Sequence, residues 1–174
     1  MFPSPTALFP GLLQTPDYAR TVITEAWETE GPDQVERLVE VRTLRQELLT
    51  RPRPIELRAF LCEAALDQRI GGPYTMRARV HHLLEASRLP HLTLQVLPHS
   101  AGAHPGLNGS FTVLGFSEGA EPDVVLVENL TSSLYFEDKR ELARYQWTFE
   151  RLTAMAASPR ESASLIKKAA KELS

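Results

Sequence analysis

Cysteine is almost absent from this chain. A single Cys62 in 174 residues leaves no internal disulfide to form, and the expected compartment is the cytosol. Long apolar runs are missing as well. The longest, such as Val124 to Val127, are far too short to cross a bilayer, and no charged-then-apolar segment opens the chain as a signal peptide would. Positive charge is not in excess either: 19 Lys and Arg face 22 Asp and Glu, a net charge of -3. A module that grips DNA phosphates is usually markedly basic, so the chain alone is not expected to bind nucleic acid. No Cys-x-x-Cys or His-Glu-x-x-His occurs, and the glycines match neither a phosphate loop nor a dinucleotide fingerprint. What remains is an ordinary globular composition, 43% hydrophobic and 24% charged, on a chain of one-domain size.

Turn formers divide that single domain, 1–174, into an extended arm (1–10), a core (11–157) and a C-terminal helix (159–174). Pro3, Pro5 and Pro10 make the arm, with room for a short edge strand. Thr15-Pro16-Asp17 announces a first helix with Thr15 as N-cap, running to about Glu28. A second helix, 33–49, carries Glu36, Glu40, Thr43 and Glu47 on a solvent strip. Its broad apolar arc holds Val35, Leu38, Val39, Val41, Leu44, Leu48 and Leu49, and Arg42 and Arg45 project from inside that arc. Period-two alternation predicts strands at 55–61, 91–97, 110–116 and 123–128, with another at 133–136. A helix from Gly71-Gly72-Pro73 to about Arg88 lies between the first two. Helices over 139–157 and 160–173 close the chain. The order predicts an α+β fold: a mixed, mainly antiparallel sheet of four to five strands, helices packed on it, and a C-terminal helical pair. The link from Leu61 to Leu92 contains a helix, which suits a parallel pair.

Several residues carry candidate chemistry. Glu63 and Glu128 each end an apolar strand; two inward carboxylates suit general acid/base work, or they balance Arg42 and Arg45. A buried arginine needs a planar acceptor, so at least one of these arginines is expected to meet Glu63 or Glu128, directly or across the wall of a pocket, and Arg42 and Arg45 are themselves candidate ligand contacts. The loop from Pro98 to Gly109, rich in glycine and proline, places His104 and Asn108 beside the expected pocket as ligand contacts. His99 and His104 lack the further partners a zinc site requires, and neither a metal nor a cofactor is expected. Cys62 reads as a small core hydrophobe. Trp147 sits about 160° from the core face of its helix, which marks a partner or self-association surface, a homodimer included.

The string Phe9-Pro10-Gly11-Leu12-Leu13-Gln14-Thr15-Pro16-Asp17-Tyr18-Ala19-Arg20 is more specific than any of these. With Arg42-x-x-Arg45-Gln46, Glu63-Ala64-Ala65-Leu66, Gly71-Gly72-Pro73, Leu94-Gln95-Val96-Leu97-Pro98, Gly102-Ala103-His104-Pro105-Gly106 and Val127-Glu128-Asn129, it resembles one family over nearly all of 9–173. That family is the C-terminal effector or partner-binding domain, of unknown function, in antitoxin-like helix-turn-helix transcriptional regulators of filamentous soil bacteria. The resemblance implies a regulatory domain that takes a small-molecule ligand or a small partner protein. Only nine residues precede Pro10, where a helix-turn-helix needs some tens, so the chain is expected to lack its DNA-binding domain. A small cytosolic enzyme on the same scaffold, a cyclase- or lyase-like acid–base catalyst in a biosynthetic pathway, is the alternative.

Overall fold

Proline and glycine place the element boundaries. The computed structural model describes residues 2–3, 9–26, 31–116, 123–128 and 132–173. In chain order the elements are β1 (Phe2–Pro3), α1 (Pro16–Ala26), α2 (Pro32–Leu44), β2 (Leu57–Cys62), α3 (Ala64–Asp67), α4 (Gly72–Ala86) and β3 (Leu92–Leu97). Then follow β4 (Thr112–Leu114), β5 (Val124–Glu128), β6 (Ser133–Phe136), α5 (Lys139–Met155) and α6 (Pro159–Glu172). Proline opens α1, α2 and α6, where its fixed φ suits the first turn and its missing N–H costs nothing. Gly71 enters α4 at φ 71°, and a Cβ there would stand 2.8 Å from Thr21 Oγ1, so this entry requires glycine. The arm residues 4–8, the helix end expected at Glu28 and the turn 117–122 lie outside the described residues.

The α+β class holds, but the single sheet of four to five strands does not. The strands divide between two sheets. β2 and β3 pair in parallel from Leu57↔Leu92 to Cys62↔Leu97, with α3 and α4 as the crossover between them. β4, β5 and β6 form an antiparallel meander, and the two-residue β1 adds to its β4 edge. The physical reason is burial on both faces of the parallel pair. Leu57, Ala59, Leu61, Leu92, Leu94 and Val96 face one core with α4 and α6, while Phe60 and Leu97 face a second with Phe111, Val113, Val125 and α5. The alternation of 55–61 thus marks two buried faces rather than one. The C-terminal helix α6 contributes Ile166, Ala169 and Ala170 to the first core, and Leu173 just after it joins them.

Two local expectations also change. α2 tightens into a 3-10 helix at Arg45–Leu49, and it buries only Val35 and Val39, against α1. Val41 and Leu44 are about half exposed, because among the described residues no second element covers that side. Thr15 precedes α1 as expected, yet its buried hydroxyl makes no capping hydrogen bond; the helix starts on the Thr15 carbonyl, which accepts from the Ala19 N–H at 2.9 Å.

Candidate functional site

α5 carries the site because its two faces differ. Leu142, Phe149 and Leu152 are buried, whereas Arg140, Arg144 and Trp147 repeat at helical spacing along the opposite stripe. Asp138 fixes the start of that stripe: its carboxylate accepts from the N–H groups of Arg140 (2.9 Å) and Glu141 (3.3 Å). A cleft of about 660 Å³ lies between this stripe, the Pro105–Phe111 segment and the end of β5. Its lining includes Asn108, Glu128, Arg140, Glu141, Arg144, Tyr145 and Trp147. Tyr145 is held by rings on two sides, with Phe111 at 4.9 Å and Phe136 at 5.9 Å between centroids. Trp147 is 55% exposed, and the Arg151 guanidinium stacks over it at 5.2 Å. The long loop therefore does border a cavity, through Pro105, Asn108 and Gly109.

Glu128 reaches the cleft from the open face of β5. Alternation along β5 turns Val125 into the core, so Glu128 points with Val124 and Leu126 to the other side and is exposed. Glu63 sits elsewhere, at the β2–α3 junction. There its Oε2 accepts the His99 N–H at 2.7 Å, and the His99 ring nitrogen bonds Asp67 at 3.0 Å. The Asp67 hydrogen bond raises the His99 pKa, with the charges of Glu63 and Asp67 adding to it. His104 caps the turn Pro105–Asn108 from outside the cleft lining, with a buried Nδ1 that has no partner among the described residues. Asn108 bonds back to the Pro105 carbonyl at 3.4 Å.

Arg42 and Arg45 part company. Arg42 is half-buried and donates to Gln14 Oε1 at 2.9 Å, an amide where a carboxylate was expected. Burial lowers its pKa, the Glu128 charge opposes that, and neighbouring Arg45 adds to it. Arg45 is exposed, because it lies one turn from Val41 on the side of the helix that the described residues leave uncovered. Gln14 is the hub: buried itself, it donates to the Phe9 carbonyl at 2.6 Å, and its own carbonyl accepts from Gln46. Burial pushes the Cys62 thiol up, away from thiolate character. Among the described residues no group of three His, Cys, Asp or Glu could hold a metal ion, and no helix is long and apolar enough to cross a membrane.

Sequence reasoning passed over Arg79. It is fully buried on α4, one helical turn from both Met76 and Leu83, which are also fully buried. That spacing was the available signal: an arginine at i+3 from one core residue and i−4 from another stands on the core face.

The family model described as Domain of unknown function (DUF5753) matches residues 5–168, and the chain belongs to that family. Neither a curated protein nor a solved structure matches the chain.

Proposed function

We propose that the chain is a non-catalytic regulatory module that takes a small ligand, or a segment of a small partner protein, in the cleft beside α5. The observation that carries this reading is the makeup of the cleft. Two guanidinium groups one turn apart, two exposed carboxylates, an amide and a stacked indole surround a volume suited to a small molecule. Guanidinium forks and an exposed indole recognise anions and flat rings. Among the described residues no histidine or cysteine lines the cleft to act as base or nucleophile. The regulatory role, as part of a helix-turn-helix regulator, follows the resemblance over 9–173. With a net charge of -3 the chain itself should give no mobility shift with duplex DNA at physiological salt.

The test is a paired screen of wild type and Arg144→Glu against small molecules and candidate partner proteins. Binders of the wild type should weaken at least about tenfold in Arg144→Glu, a loss of roughly 1.4 kcal/mol, while the melting temperature stays put. Equal binding by both proteins would place the site elsewhere.

One observation favours a second reading, a small acid–base enzyme. In the Glu63–His99–Asp67 cluster a carboxylate holds one ring nitrogen of a histidine, as a positioned general base requires. That reading predicts turnover that Asp67→Asn abolishes and Arg144→Glu leaves intact.

A further inference from the structure

We propose that Arg79 anchors a small organic carboxylate beneath the Phe9–Tyr18 segment, a site separate from the α5 cleft and independent of its function. The Arg79 side chain has no exposed surface, and Nε, Nη1 and Nη2 all lack hydrogen-bond partners among the described residues. Buried guanidinium groups ordinarily meet a carboxylate, because an unmet charge in an apolar interior is costly. Residues 1–8, directly before the segment that covers it, contain no Asp or Glu.

The surroundings narrow the occupant. The Phe9 ring lies 4.2 Å from the guanidinium carbon and the Tyr18 ring 5.6 Å, the two rings meeting edge to face at 5.1 Å. Aromatic faces ease the charge above and below its plane, but they accept nothing from the in-plane N–H groups. A further buried polar atom, Tyr18 Oη on the nearby ring, has no hydrogen-bond partner among the described residues. The Phe9 backbone stands near the phenol without forming a hydrogen bond of normal geometry. A planar acceptor would take two parallel bonds from the guanidinium and one from a hydroxyl. Leu13, Met76 and Val80 are fully buried in the neighbouring core, so the surroundings suit an organic body better than a hydrated ion. One positive charge matches one carboxylate, whereas phosphate carries about −1.5 to −2 at neutral pH and would leave negative charge stranded. Entry requires Phe9 to move aside.

Acetate and benzoate, with inorganic phosphate and chloride at matched ionic strength, are the probes, titrated into the full chain labelled with ¹⁵N. The site predicts a saturable shift of the Arg79 Nε–H resonance with the carboxylates and none with phosphate or chloride. At about 100 times its Kd the bound carboxylate should raise the Tm by roughly 5–10 °C. Arg79→Met should remove that dependence and melt no lower than wild type without ligand. Carboxylates that leave the Arg79 resonance unmoved overturn the proposal, as does a shift produced by phosphate alone. Should Arg79→Met fail to fold, the guanidinium has a structural partner and the proposal also falls.

Discussion

Arginines stand in two contrasting settings in this molecule. Arg140 and Arg144 are exposed on the outer stripe of α5, in the lining of the cleft with Glu128 and Glu141. Arg79 is sealed in the core beside aromatic rings, and its nitrogens have no hydrogen-bond partner among the described residues. The same side chain is inexpensive in the first setting and costly in the second. An exposed arginine marks a surface that can recognise many things; a buried unmet one marks a fold that tolerates a cost, and so points to something outside the chain that relieves it.

Removing the ring over Arg79 should have the largest effect. Phe9→Ala deletes a buried ring and one face of the aromatic enclosure, and should cost about 3–5 kcal/mol in urea unfolding. A loss below ~1 kcal/mol would mean that Phe9 is not the cover described. Gln14→Ala comes next. It takes the acceptor from Arg42 and the donor from the Phe9 carbonyl, and about 1–3 kcal/mol should go with them. Trp147→Ala, in the open setting, should stay within ~0.5 kcal/mol of wild type while weakening whatever occupies the cleft. If its stability drops like that of Phe9→Ala, the contrast between closed and open regions is lost; if size-exclusion shows a dimer that Trp147→Ala splits, the indole is a self-association surface.

Two histidines give the smallest and most specific readouts. Because the folded-state pKa of His99 lies above its ordinary 6.5, its pairing with Asp67 favours the fold below that pH and fades as pH rises through the raised value. His99→Gln should flatten this slope of stability against pH. His82 runs the other way: burial lowers its pKa first and Arg79 second, so its contribution is present above pH 6.5 and lost as pH falls through the lowered value. Arg79→Met should move the His82 pKa up, as read by NMR titration, but leave it below the ordinary value because burial persists.

Much of the architecture was legible in the sequence because turn chemistry and periodicity are local signals. Pro16, Pro32 and Pro159 open helices, the core face of α5 falls where its period places it, and the parallel pairing of β2 with β3 follows from the helix between them. The division into two sheets was hidden, since Phe60 and Leu97 look like the off-face of a half-buried strand until a second core covers them. The site was legible in pieces. Trp147, Asn108 and Glu128 do share one cleft, but three distant segments bring them there, and no spacing rule encodes that meeting. Arg45 was misplaced because the apolar arc that holds it, with Val41 and Leu44, stays largely uncovered, and periodicity alone does not show which part of an arc is covered. Arg79 was overlooked for a different reason: charge pattern argues for solvent, and only its position between Met76 and Leu83 argues for the core.

The contrast itself is tested most directly by unfolding Arg79→Met and Arg144→Met in urea beside the wild type, without added ligand. The buried guanidinium is unmet, so Arg79→Met should be neutral or gain up to about 1–4 kcal/mol, and Arg144→Met should lie within ~0.5 kcal/mol of wild type. A loss of about 3–5 kcal/mol in Arg79→Met would show that the core already holds a partner for that charge, and would contradict the account.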